Sequence, residues 1–139
     1  MRFMVFVPGN EDSEAGALPS AELISQMTAY NEELARAGVM LAGEGLRPTK
    51  DAKKIRFDAD GPKVIDGPFT ESKELVAGYW MLECKSLDEA VEWVKRAPFG
   101  GSVEVQVRPI FEADDFGENL TPELRERETR LRESIAARP

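Results

Sequence analysis

The chain has 139 residues, 42% hydrophobic and 32% charged, with a formal charge of −8, one cysteine and no histidine. That is the length of one domain with its own core and the composition of an ordinary soluble globular protein. The acidic balance argues against a nucleic-acid backbone or an anionic membrane surface as partner, and the lone Cys84 leaves no internal disulfide or thiolate metal cluster.

Residues 2–7 carry Phe3, Val5 and Val7 on one alternate face and Met4 and Phe6 on the other, the pattern of a strand covered from both sides. The run is too short for a secretory signal, no stretch has bilayer-spanning length, and a reducing cytoplasm is the expected compartment. Residues 8–16 are polar, acidic and Gly-containing and predict a surface loop. Ser20 is placed to cap a helix whose stripe is Leu23, Met27, Tyr30 and Leu34, with Ile24 and Asn31 alongside, and Gly38 is placed to end it. Residues 39–46 predict a strand in which Gly43 and Gly45 mark a close approach by another backbone or a ligand. Residues 54–58 and 63–66 predict a short hairpin with Asp60-Gly61 at its tip and Ile55, Phe57, Val64 and Ile65 as covered residues.

The hairpin leads into Asp66-Gly67-Pro68-Phe69. Proline fixes its own φ, restricts the residue before it and removes a donor, so Asp66 is expected to cap the amide of Phe69 or Thr70. Residues 76–84 again have two apolar faces, Val76, Gly78, Trp80 and Leu82 on one and Ala77, Tyr79 and Met81 on the other. Ser86 and Glu89 form a capping box for a helix carrying Leu87, Ala90, Val91 and Val94. Val103, Val105 and Val107 then alternate with Glu104, Gln106 and Arg108 in a last strand that is apolar on one face. Beyond a connector, Thr121 and Pro122 open a charged helix over about residues 123–137, with Leu120, Leu124, Leu131 and Ile135 on a narrow stripe suited to the surface of a neighbour.

Asp66-Gly67-Pro68-Phe69, the N-terminal strand, the Ser86-Leu87-Asp88-Glu89-Ala90 helix start and the ending from Val103 to Ile110 occur in an order that resembles the YCII-related family, also called DGPF-domain proteins. The resemblance covers about residues 1–112, leaving 113–139 as an added connector and amphipathic helix. It implies a ferredoxin-like α+β fold that pairs into a dimeric α+β barrel, and some relatives are thought to use a His-Asp pair as acid–base machinery. This chain departs from them in having no histidine; Met27 stands in about the part of the helix where theirs would be sought.

The element order agrees independently: βα, β, inserted hairpin, βα, β and an added helix is the split βαβ arrangement of a ferredoxin-like βαββαβ fold. Its first and third core strands are central, and these are the two with apolar residues on both faces. Two helices cover one face of such a sheet, so Met4, Phe6, Tyr79 and Met81 need a cover, either the tail helix or a second subunit in a homodimer.

A seam between two sheets would be an apolar cleft with few polar groups, the usual form of a small-molecule site. Near it Asp66 is a candidate general base or a turn cap, and Phe69 supplies an apolar wall. Lys73 is either a cation for an anionic or enolate oxygen or a solvated neighbour of Glu71 and Glu74. Arg108 would clamp a carboxylate or pair with Glu104 or Glu44, and Tyr79 and Tyr30 offer phenols or simple packing. No metal-ligand spacing, phosphate loop or dinucleotide fingerprint is present, and no cofactor is expected. These residues suit a lyase or isomerase acting on a small organic acid or phenol, or a non-catalytic module that senses a metabolite or docks a protein such as a transcription sigma factor, to which family relatives are fused or genetically linked.

Overall fold

The computed structural model describes residues 1–139, the side chain of Ser72 excepted. Two compact units are formed, Met1–Pro109 and Ile110–Pro139.

In the first unit the strands are β1 (Arg2–Pro8), β2 (Met40–Gly45), β3 (Lys53–Asp58), β4 (Gly61–Asp66), β5 (Val76–Glu83) and β6 (Gln106–Pro109), and the helices are α1 (Glu11–Glu14), α2 (Ala21–Arg36) and α3 (Leu87–Val94). The main sheet runs β2-β5-β1-β6 with every neighbour antiparallel. This is the ferredoxin-like α+β fold, and its two central strands, β1 and β5, are those with apolar residues on both faces. Phe3, Val5, Trp80 and Leu82 form the buried face with Tyr30 and Leu34 of α2 and Ala90 of α3. Both long helices of the unit therefore lie on one side of the sheet.

Local sequence explains the helix ends. The Ser20 hydroxyl accepts from the Leu23 amide at 3.1 Å, and Gly38, at φ +72°, reverses the chain after α2 so that the Val39 amide reaches the Leu34 carbonyl at 2.9 Å. In α3 the Ser86 hydroxyl accepts from the Glu89 amide while the Glu89 carboxylate accepts from the amide of Lys85, one residue before the cap.

Three expectations are corrected. Residues 8–16 are not all loop: α1 forms because Asn10 and Ser13 each accept the other's backbone amide, at 2.9 Å in both directions. The last strand begins at Gln106, three residues later than its alternation suggests. The hairpin forms, but its second strand begins at Gly61, two residues earlier than expected, so that the turn is Ala59-Asp60, and Ile55, Phe57 and Val64 are exposed, Phe57 by 81%. The reason is that β3 and β4 pair only with each other, and the register Ile55↔Val64 and Phe57↔Pro62 collects these side chains on one face of a separate two-stranded sheet.

The second unit contains a 3-10 segment, Ala113–Asn119, interrupted at Gly117 where φ is +59°, followed by α4 (Pro122–Ala136). Phe111 and Phe116 stack at 5.1 Å, and Arg125 reaches Asp114 at 3.2 Å. Thr121 caps α4 through the Leu124 amide, and Leu124, Leu131 and Ile135 are exposed.

Candidate functional site

Strand register dictates where space is left. Gly43 pairs with Trp80 and Gly45 with Gly78, so positions 43, 45 and 78 all point toward α2 and none carries a side chain. A Cβ at Gly43 would stand 2.7 Å from both the Trp80 indole and the Met40 methyl, and one at Gly78 would stand 3.0 Å from the Glu44 carbonyl. At Gly45 a Cβ would meet nothing within 4 Å. The first two glycines admit neighbours; the third leaves a gap.

That gap is a cavity of about 380 Å³ between the N-terminal half of α2 and the β2/β5 edge of the sheet. Leu23, Met27 and Asn31 form its helix wall, with Trp80, Phe99 and Val7 opposite. The Trp80 indole N–H donates to Asn31 Oδ1 at 2.8 Å, and its ring meets Tyr30 and Phe99 edge-on at centroid distances of 5.6 and 6.0 Å. Glu44 and Tyr79 also border the cavity, but strand alternation directs their side chains to the opposite face.

The Asp66–Phe69 corner is built differently from expectation. The Asp66 carboxylate does not cap the turn; it is 76% exposed and pairs with Lys53 at 2.6 Å across the base of the hairpin. The Phe69 amide instead donates to Thr49 Oγ1 at 2.9 Å. Thr49, 8% exposed, gives its hydroxyl and its amide to the two oxygens of Glu14 at the end of α1. Gly67 joins this hub through its amide, 2.9 Å from the Ala52 carbonyl, and the Gly67–Pro68 bond is cis. A Cβ on Gly67 would fall 1.7 Å from the Thr49 carbonyl oxygen, so only glycine fits. Lys54 covers the Phe69 ring, with Nζ 4.6 Å from its centroid, and pairs with Glu74 at 3.1 Å.

Phe69 and Thr49 border a second cleft, also of about 380 Å³. Its charged rim is already partnered: Arg47 with Asp51 at 3.2 Å and Glu74 with Lys54. Lys73 is exposed on a short 3-10 turn, Ser72–Glu74, and forms no ion pair among the described residues. Tyr79 and Arg108 share the sheet face away from the helices, where Tyr79 pairs with Phe6 and Arg108 with Met4. Arg108 likewise has no carboxylate partner among the described residues, so the pairing with Glu104 or Glu44 is not formed. Of the five residues expected to make one site, Asp66 and Phe69 flank the corner, Lys73 follows it, and Tyr79 and Arg108 stand on the open sheet face.

Burial decides the protonation of two inner groups. The Tyr30 phenol, 5% exposed and donating to the Trp93 carbonyl at 2.8 Å, has its pKa pushed up to about 12 by burial, and burial likewise raises the Cys84 thiol. Neither is poised for acid–base work near neutrality. No group of His, Cys, Asp or Glu suited to holding a metal ion occurs among the described residues.

A family model described as the YCII-related domain matches residues 1–114. The chain belongs to the YCII-related family. An uncharacterized protein of Rhizobium meliloti (strain 1021) is 30% identical to this YCII-related chain over 114 residues, 77% of the chain and 92% of the relative. Among solved structures it is similar to 5-chloro-2-hydroxyhydroquinone dehydrochlorinase from Burkholderia phenoliruptrix AC1100, in complex with 2,5-dihydroxybenzoquinone, at 17% identity and a TM-score of 0.47, covering 81% of this chain and 95% of that one. No helix of this YCII-related chain is long and apolar enough to cross a membrane among the described residues.

Proposed function

We propose that this protein binds a small organic molecule in the cavity between α2 and the sheet and acts as a metabolite-responsive module. The observation that carries this is the glycine-floored gap of about 380 Å³, within the usual range of ligand sites, which run to about 300–1,000 Å³. Its walls are mostly apolar, and its mouth is open to solvent at Ile24, Thr28 and Gly45, so a small molecule can enter without the fold opening. A non-catalytic role is favoured because the side chains facing the cavity include no proton carrier that works near neutrality, and the chain has no histidine. The buried, lone thiol of Cys84 suits a reducing compartment such as the cytoplasm. Gly45→Leu is the test: its side chain enters the open space, so the variant should keep its fold and lose the thermal shifts that small ligands give the wild type. Equal shifts in both proteins would refute the assignment.

A second reading is supported by one arrangement. Tyr79 and unpaired Arg108 lie on the same sheet face among Met4, Phe6 and Met81. A homodimer closed across that face would enclose a phenol and a guanidinium in an apolar seam, the setting for a lyase or isomerase acting on a small organic acid or phenol. Shifts by carboxylates and phenols that survive Gly45→Leu and vanish in Arg108→Ala would favour the seam over the cavity.

A further inference from the structure

We propose that the cavity selects an uncharged ring compound bearing a carbonyl group, whose oxygen accepts a hydrogen bond from the Asn31 side-chain amide; this rests on the cavity being a ligand site. The side chains that face it, from Leu23, Met27, Thr28, Asn31, Trp80 and Phe99, include no ionisable group. A charged ligand would give up its hydration there without a counter-charge, so a carboxylate or an ammonium is disfavoured.

The polar handle has a fixed sense. The Trp80 indole N–H is a donor only, so the Asn31 atom 2.8 Å away is the amide oxygen. Asn31 Nδ2 is thereby turned elsewhere, and no protein group accepts from it among the described residues. Thr28 stands one helical turn before Asn31 on the same wall, adding a hydroxyl. Donors set in an apolar wall match a ligand that is apolar in body and carries an acceptor, and a carbonyl oxygen has two lone pairs to offer them. Gly45, Gly78 and the aromatic rings of Trp80 and Phe99 leave room for a ring.

The test is an NMR titration of the full chain, read at the Trp80 indole N–H, with cyclohexanone, cyclohexanecarboxylate and cyclohexylammonium. Cyclohexanone is expected to bind at least about tenfold more tightly than either ion, the scale of one well-made hydrogen bond together with the cost of burying a charge. Asn31→Asp keeps an acceptor for Trp80 but replaces the donating amide with a second oxygen, so it should weaken cyclohexanone about tenfold while the indole N–H stays hydrogen-bonded. If an ion binds as well as the ketone, or Asn31→Asp leaves ketone binding unchanged, the carbonyl assignment is overturned; the cavity still stands provided that Gly45→Leu abolishes binding. If no probe binds, or Gly45→Leu changes nothing, the cavity itself is not the ligand site, and the carbonyl assignment falls with it.

Discussion

At the scale of single residues, the Asp66-Gly67-Pro68-Phe69 corner is first of all a piece of construction. Gly67 lies under the Thr49 carbonyl, Phe69 hangs from the Thr49 hydroxyl, and Glu14 holds Thr49 from the other side. Three substitutions should therefore differ sharply in urea denaturation. Gly67→Ala drives a methyl into a backbone oxygen and should cost about 3 kcal/mol or more. Thr49→Val leaves the Phe69 amide and the Glu14 carboxylate short of a partner, at about 1–3 kcal/mol. Asp66→Ala removes only an exposed ion pair and should stay within about 1 kcal/mol of wild type. The reverse order would mean that the acid, not the threonine, organises the corner. Tyr30 makes a separate prediction in pH. Its folded pKa of about 12 lies above the ordinary 10.0, so the fold favours the neutral phenol. The stability this supplies is complete below pH 10 and is lost as pH rises through 12. Tyr30→Phe should be less stable near neutrality by about 1 kcal/mol, for the lost bond to Trp93, and should fall less steeply in alkali. Cys84 also costs stability in alkali and its charge acts on the Tyr30 phenol, so the comparison is made in a Cys84→Ala background.

At the scale of elements, β2 is thin where α2 crosses it, and its two helix-facing glycines have opposite tolerances. Gly43→Ala must displace the Trp80 indole or Met40 and should destabilise, whereas Gly45→Ala enters open space and should be neutral or stabilising by about 0.5 kcal/mol through strand propensity alone. Equal thermal midpoints for the two variants would contradict the register that places Gly43 beside Trp80. The glycines themselves stand out in the sequence, and Gly78 falls visibly in phase with Trp80 and Leu82. The phase of Gly43 and Gly45 relative to Trp80 does not, because it depends on how β2 pairs with β5. The order of strands and helices is legible for a stronger reason: Phe3, Val5, Trp80 and Leu82 alternate with a second apolar set, and Ser20, Gly38 and Ser86 punctuate the helices. Thr49 carries no local signal, since a threonine in a polar loop looks solvated and its partners lie 35 residues before and 20 after it. The helix α1 did leave one, the Asn10–Ser13 spacing, which is easily lost among acidic neighbours.

At the scale of the molecule, both long helices of the first unit occupy one side of the sheet, and Met4, Phe6, Tyr79 and Met81 occupy the other. A homodimer closing that side predicts twice the chain mass in light scattering and a monomer for Phe6→Glu, whose buried charge the seam would not accept. A wild-type monomer would remove the seam and the roles proposed there for Tyr79 and Arg108. The hairpin β3–β4 has a different standing. It shares no ladder with the main sheet, and its two-residue turn, Ala59 and Asp60, is exposed at the tip. Such an outrigger is a natural graft point: a short reporter peptide spliced between Ala59 and Asp60 should leave the melting temperature of the protein within a few degrees of its original value, giving experimenters an exposed handle that interrupts no strand of the main sheet.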